Sequence, residues 1–461
     1  MQLYTKTENY TLYNGNMLDL LQVVEPNSID SIVCDPPYEL NFMNKGWDNS
    51  GIAFQKDAWE KCFKALKDGG YLLAFGGSRT FHRIACAIED AGFEIRDCIM
   101  WLYGSGFPKS MNIELAIDKK NGVESKVVKT MKQSGAKFKL TQELIDNGGF
   151  NDPNRTEFEI KQAQNEWNGW GTALKPAYEP IIVARKPFKG SLVDNILKNG
   201  VGGLNIDECR VGNTNADDYD LKQRQVSKAK GSNNDGKFLD ELHNKDAKHG
   251  VVELGRFPAN VIHDGSEEAI SGMPEGGKNG SITKEYKMNN QVYGDYGYCK
   301  EFDAYEDEGS ASRYFYCAKA SKKDRDEGLD KFNNAVITDG RQKPIDNAFN
   351  RGETERKNIH PTVKPVELMQ YLVRLVTPKG GIVLDPFMGS GSTGKAVMFE
   401  NRERDAHYKF IGIELTNEYL PICESRINFA LNKFKYELEE SAKKYDTEST
   451  QQMTLFNIID N

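Results

Sequence analysis

The pattern of apolar and polar positions changes character twice along the chain. Over residues 1–190, short apolar runs alternate with stretches whose apolar positions recur at helical spacing. The runs IDSIVCDPPY (Ile29–Tyr38), GGYLLAFGG (Gly69–Gly77), FEIRDCIMWLY (Phe93–Tyr103) and AYEPIIVARKPF (Ala177–Phe188) predict strands. AFQKDAWEKCFKALKDGG and RTFHRIACAIEDAG predict helices, the second stopped at Gly92. Residues 191–357 lose this rhythm and are rich in Gly, Asn, Asp and Lys, with strand candidates only at Arg256–Asp264 and Ser312–Ser321. Within them, the charged segment Gly212–Gly250 predicts a mobile loop. Alternation returns over 358–436: a helix in KPVELMQYLVRLVTPKGG, a strand, glycine turn and helix in GIVLDPFMGSGSTGKAV, a strand at His407–Leu415 and a last helix.

Strands alternating with helices at this spacing predict an α/β fold, a Rossmann-like, doubly wound and mostly parallel sheet. The sheet is interrupted by an insertion and completed from the far end of the chain. The expected units are 1–190, the insertion 191–357, 358–436, and a flexible tail over 437–461.

Composition narrows the class. The 461 residues exceed one typical domain, and 38% hydrophobic with 28% charged residues allow a sizeable core. No apolar run reaches the ~18–20 residues of a membrane span, and the polar start MQLYTKTENY lacks a signal-peptide layout. The eight cysteines include no CxxC pair, so neither a disulfide framework nor a zinc site is expected, and a reduced cytosol is. A net charge of −8 argues against a generally nucleic-acid-seeking surface, but local charge overrides a sum.

Two constellations carry chemistry. DPFMGSGSTGKA (Asp385–Ala396) follows a strand and opens a helix, where glycine permits close backbone approach and free N–H groups attract polar ligand atoms. Its spacing fits neither GxGxxG in the usual placement nor a P-loop. The strand KFIGIEL then ends at Glu414, a carboxylate placed for two ribose hydroxyls, so the pair points to an adenosine-containing cofactor. DPPY (Asp35–Tyr38) ends another apolar run. Its prolines make a rigid loop that leaves the Pro36 carbonyl free of the ladder. The Asp35 carboxylate and that carbonyl form two acceptors able to hold both N–H groups of a ring-conjugated amine. They draw its nitrogen toward a tetrahedral, nucleophilic geometry and stabilise the positive charge that develops there. Tyr38 offers a flat face for a base.

On these motifs the chain resembles the S-adenosylmethionine-dependent DNA amino-methyltransferases that modify adenine N6 or cytosine N4. DPPY looks like their catalytic motif (Asp35, Pro36, Pro37, Tyr38), DPFMGSGSTG like their cofactor loop, and HPTVKP (His360–Pro365) like the segment closing over the methionine end. The order of parts is similar to the permuted β group, over Leu12–Phe188 and His360–Phe429. The resemblance implies that Asp35, Asp385, Phe387, Gly389 and Gly391 contact the cofactor, with Glu414 on the ribose and Thr362 and Lys364 near the carboxylate. Where the family has Gly-Asp against the cofactor adenine, this chain has Gly15-Asn16; Asn16 can pair with an adenine edge, and Asp19 is the alternative. The implied reaction is site-specific methylation of adenine N6 in double-stranded DNA by base flipping, in a bacterial or phage-infected cell. Alternatives are cytosine N4 methylation, methylation of a protein glutamine, or a non-catalytic DNA-binding scaffold. No Pro-Cys nucleophile of ring-carbon methylation is present.

In the insertion, Arg313, Lys319, Lys322, Lys323 and Arg325 cluster with Tyr314, Phe315 and Tyr316, followed by Arg341, Lys343, Arg351, Arg356 and Lys357. Cations among aromatics suit phosphates and a displaced base; a solvated face over a core strand is the plainer alternative. Arg79, His82, Arg83 and Lys109 join the family's substrate cleft by the same resemblance, and His263 is expected to be structural. Gln452–Phe456 in the tail resembles the short peptide by which bacterial proteins dock on the sliding clamp; the alternative is that it folds back onto the catalytic domain.

Overall fold

The computed structural model describes residues 1–40, 46–104, 106, 110–123, 126–132, 157–162, 165–211, 255–276, 286–290, 294–299, 309–318, 322–337 and 354–432. The segment expected to be a mobile loop, the cations Lys109, Lys319, Arg341, Lys343 and Arg351, and the tail with its clamp-like peptide all lie outside the described residues.

Ten strands share one sheet. In chain order they are β1 (Gln2–Lys6), β2 (Tyr10–Asn14), β3 (Ile29–Cys34), β4 (Leu66–Phe75), β5 (Glu94–Leu102), β6 (Tyr178–Arg185), β7 (Val261–His263), β8 (Tyr316–Cys317), β9 (Ile382–Asp385) and β10 (Lys409–Glu414). Their order across the sheet is β1-β2-β10-β9-β3-β4-β6-β5-β7-β8. The run from β2 to β4 is parallel. β6 runs antiparallel to both of its neighbours. The far end of the chain therefore supplies two central strands, β9 and β10, between β2 and β3. Asp30 fastens that junction: its Oδ2 accepts the Ile382 N–H at 2.8 Å, and Lys67 pairs with its Oδ1 at 2.6 Å.

Because successive side chains of a strand leave opposite faces, each buried strand feeds two cores. On β3 and β4, Val33, Tyr71, Leu73 and Phe75 enter one; Ile32, Cys34, Leu72 and Ala74 enter the other. Helices α4 (Val366–Val376), α5 (Ser392–Arg404) and α6 (420–432) cover the first face. Helices α1 (Lys56–Ala65) and α2 (Phe81–Asp90) cover the second, and α3 (Leu192–Asn199) packs near β4. Continuous apolar strands covered on both faces make this the doubly wound α/β arrangement expected from the pattern. Gly92 ends α2 as expected, at φ +105°, with its N–H on the Glu89 carbonyl.

Three features depart from the sequence pattern. The N-terminal hairpin β1–β2 was hidden in polar sequence, since its burial is partial and its pattern weak. Part of the stretch 191–357 joins the sheet, where β7 and β8 extend it beyond β5. The strand expected over Ser312–Ser321 shrinks to β8, because residues 311–314 form a 3-10 turn capped by the Ser310 hydroxyl. His263 is structural as expected: buried, with Nδ1 accepting the Gly265 N–H and Nε2 3.1 Å from the Ser312 carbonyl. Among the described residues no helix is long and apolar enough to cross a membrane.

Candidate active site

β3, β9 and β10 are adjacent and parallel, so their carboxyl ends meet at one edge. Asp35 directly follows β3, Asp385 closes β9, and Glu414 closes β10. Ligands of open α/β sheets bind at this edge. A cavity of about 350 Å³ lies there, lined by Asn16, Asp35, Pro37, Thr362, Lys364, Asp385, Phe387, Gly389 and Glu414, with His360 and Tyr419 among its other walls. Of the residues implied to hold the cofactor, only Gly391 is not part of that lining.

The floor is acidic and buried. Asp385 Oδ2 accepts the Thr393 hydroxyl at 2.6 Å and Oδ1 the Phe387 N–H at 3.0 Å. Burial nevertheless pushes its carboxyl up to about 7, against those two hydrogen bonds. Glu414 holds the Gly389 and Thr416 N–H groups, each at 2.7 Å, and burial pushes it up to about 7 as well. Glu414 thus fixes the glycine turn through a backbone donor while keeping lone pairs for a ligand.

The turn needs glycine for two different reasons. Gly389 sits at φ +55°, and a Cβ there would lie 2.9 Å from His360 Nε2. Gly391 sits at φ +76°, and its Cβ would meet the Cys423 backbone at 3.0 Å, so it shapes the start of α5 rather than the cavity. Lys395, the residue that a P-loop would aim at phosphate, is wholly buried and paired with Glu327 at 3.0 Å and Asp324 at 3.3 Å. That pairing agrees with the spacing argument against a triphosphate site. Burial holds His360 down to about 4, so its imidazole is neutral near pH 7.

Asn16 lines the cavity, although its Oδ1 is engaged as a cap by the Leu18 N–H at 3.0 Å, leaving its amide NH₂ as donor. Asp19 instead accepts from Gln22 at a half-buried position outside the lining. Of the two alternatives, the geometry brings Asn16 to the site.

At the DPPY motif, Lys364 Nζ lies 2.7 Å from Asp35 Oδ2 and 3.3 Å from Glu179 Oε2. The Tyr38 hydroxyl donates to the same Glu179 oxygen at 2.9 Å. Burial lowers the Lys364 ammonium's pKa, but Asp35 and Glu179 outweigh it and the net shift is upward. Burial, then the same two carboxylates, raise the Tyr38 phenol. Asp35 Oδ1, in contrast, is buried with no hydrogen-bond partner among the described residues. An unsatisfied buried carboxylate oxygen costs free energy unless a donor arrives. The chain beyond Tyr38 is pinned by buried Asp48, which accepts the Glu39 N–H at 2.9 Å and the Leu40 N–H at 3.2 Å; Glu39 itself takes φ +54°. The Thr80 hydroxyl donates to the Tyr38 carbonyl at 2.8 Å. Glu179 and Asp48 were not found in the sequence; their only signals were an acidic residue near the start of an expected strand and another in a Gly/Asn-rich loop.

The aromatic-cation cluster of the insertion divides. Tyr316 stacks on Tyr371 at 4.2 Å and belongs to the core. Tyr314 is exposed, with Arg313 at 4.5 Å and Arg256 at 5.0 Å over its ring. Arg79, His82 and Arg83 are exposed, Arg83 lying over Phe54 at 5.3 Å.

A family model described as DNA methylase, of the N6/N4 type, matches residues 29–425. The type II methyltransferase M.HindIII of Haemophilus influenzae is 21% identical over 238 residues, 42% of this chain and 64% of that protein. The DNA adenine methyltransferase YhdJ of Escherichia coli is 39% identical over 84 residues, 18% of this chain and 26% of that protein. Among solved structures, the cytosine-N4-specific PvuII DNA methyltransferase is 13% identical, covering 93% of this chain and 94% of its own, at a TM-score of 0.37.

Proposed function

Since the chain belongs to the N6/N4 DNA methylase family, we propose that it methylates adenine N6 at a specific site in duplex DNA, in the cytoplasm of a bacterial or phage-infected cell. The observation that carries this reading is Asp35 Oδ1, a buried acceptor without a donor, at the wall of the cavity.

The methyl donor is S-adenosylmethionine, which supplies an electrophilic methyl group on a positively charged sulfur. The residues fit it. Asp385 and Glu414 are buried carboxylates on the cavity wall, suited to a cationic, hydroxyl-rich ligand, and the Gly389 turn keeps the wall thin. Glu414 would hold the ribose hydroxyls and Asn16 the adenine edge, with Phe387 and Thr362 beside them.

On the substrate side, the target amine lies inside the base stack, so the base must be flipped out before the site can reach it. Tyr38 then supplies a stacking face. Asp35 Oδ1 and the Pro36 carbonyl, which lies beyond the end of β3, accept the two amine N–H groups. These fixed acceptors favour a tetrahedral nitrogen and offset the positive charge developing on it, without reorganisation during the reaction. Arg256 and Arg313 around exposed Tyr314 supply cations and a ring suited to the DNA backbone. Aspartate at the first position of DPPY supports adenine over cytosine by resemblance.

Expression in a methylation-deficient bacterium, followed by sequencing with modification detection, tests the proposal. N6-methyladenine at one recurring motif is expected. N4-methylcytosine instead would replace the base, and unmodified DNA would overturn the reading.

A further inference from the structure

Glu179 enters the site by a route unlike that of the other carboxylates. It is the second residue of β6, the strand that runs antiparallel to β4. The start of β6 therefore lies at the same sheet edge as the ends of β3 and β4, and the Gly76 N–H bonds the Pro180 carbonyl at 2.9 Å there. An antiparallel strand thus delivers a side chain to an edge otherwise built from the ends of parallel strands. One oxygen of this carboxylate, Oε2, serves two groups: the Tyr38 hydroxyl at 2.9 Å and Lys364 Nζ at 3.3 Å. The same Nζ lies 2.7 Å from Asp35 Oδ2 and 5.2 Å from the Tyr38 ring centre.

The charge count gives this arrangement a purpose. Two carboxylates share one ammonium, so the cluster keeps a net negative charge next to the free Asp35 Oδ1. Were Lys364 given to Asp35 alone, that ion pair would be neutral and Oδ1 a weaker acceptor. The second task is mechanical: the Tyr38 ring is tethered at its hydroxyl as well as through its backbone, which holds the stacking face in one orientation.

We infer that Glu179 is a positioning residue for methyl transfer, which divides Lys364 between itself and Asp35 and anchors the Tyr38 hydroxyl. The inference rests on the methyltransferase reading above. It assigns Glu179 an effect on the transfer step rather than on cofactor binding, because Glu179 is not part of the cavity lining and touches the site through Lys364 and Tyr38.

The test compares the wild-type chain with Glu179→Gln, Tyr38→Phe and the double variant, using tritiated S-adenosylmethionine and unmodified genomic DNA. It reads kcat, the cofactor KM and the thermal midpoint. Glu179→Gln keeps the shape of the side chain and removes its charge. It is expected to lower kcat by about tenfold or more, with the cofactor KM within about threefold of wild type. Tyr38→Phe is expected to lose less, and the double variant to fall short of the product of the single losses, since one substitution weakens and the other removes the same Tyr38–Glu179 hydrogen bond. Retention of about half the wild-type kcat or more by Glu179→Gln would overturn the inference. A kcat loss matched by an equal KM rise and an early melt would overturn it too, by showing a merely structural role. If Glu179→Gln does not fold, Tyr38→Phe decides alone: reduced kcat at an unchanged cofactor KM supports the inference, and wild-type kcat overturns it. Wild-type protein that transfers no label to DNA fails the functional reading itself, a result distinct from an active wild type with an indifferent Glu179→Gln.

Discussion

Lys364 Nζ lies 2.7 Å from Asp35 Oδ2 across a sequence separation of 329 residues. The pair joins the segment ahead of the glycine turn to the DPPY motif and leaves the other Asp35 oxygen free. The resemblance placed Lys364 beside a cofactor carboxylate; the structure gives it two anionic side chains of the chain itself. Lys364→Met would leave both carboxylates without their cation in a partly buried site. Breaking such a pair costs about 3–5 kcal/mol. A lowered thermal midpoint and a loss of methyl transfer are expected, and a variant matching wild type in both would show that the pair is idle.

Cofactor affinity should depend on pH. Asp385 and Glu414 are held up to about 7 by burial, so each carries its proton at pH 6 and loses it by pH 8. A cationic ligand favours the ionised forms, so affinity should rise as pH climbs through 7. His360, held down to about 4, stays neutral throughout and adds nothing to the change. Calorimetric titration with S-adenosylmethionine is expected to show roughly fivefold tighter binding at pH 8 than at pH 6. Glu414→Gln, which removes one of the titrating groups, should shrink that difference. Equal affinities at the two pH values in the wild type would contradict the assignment.

Gly389→Ala combines two penalties. At φ +55° a side chain costs about 1–2 kcal/mol, and the new Cβ would press on His360 Nε2. The turn must shift, so calorimetry should show roughly tenfold weaker cofactor binding. Unchanged affinity would show that the turn does not shape the cofactor site.

The 212–254 segment can be removed without opening the sheet. Val211 and Arg256 exchange both backbone hydrogen bonds, at 3.0 and 2.7 Å, so the two ends already meet. Splicing them through a short glycine linker should preserve cofactor affinity and alter DNA affinity or site choice. Loss of cofactor binding with DNA binding intact would contradict the division of the chain into a catalytic sheet and a recognition insertion.

The legible parts of this fold were contiguous in sequence. β3, β4, β9 and β10 are short apolar runs with both faces covered, and each announces itself locally. The DPPY and DPFMGSGSTG motifs each span only a few residues, so Asp35, Asp385 and Gly389 were legible locally, and the fold brings them to one cavity. What stayed hidden depends on distance along the chain. Glu179 acquires meaning only because β6 reverses direction and sets it against Tyr38, 141 residues away. β7 and β8 lie inside expected strand segments but are only three and two residues long, and their place beyond β5 comes from pairing that no local pattern announces. Spacing along the glycine loop does not say which side each residue faces, and Gly391 packs against Cys423 outside the cavity lining.

The proposed reaction rests on Asp35 presenting a free acceptor to an amine on DNA. Its most direct test is transfer of tritiated methyl groups to unmodified duplex DNA by wild type and by Asp35→Asn, with the DNA digested to nucleosides and the label located by chromatography. Label in N6-methyldeoxyadenosine is expected with the wild type. Asp35→Asn is expected to slow transfer by about 10²–10³-fold, while S-adenosylmethionine affinity changes little. Near wild-type labelling by Asp35→Asn, or label absent from the DNA with the intact enzyme, would contradict it.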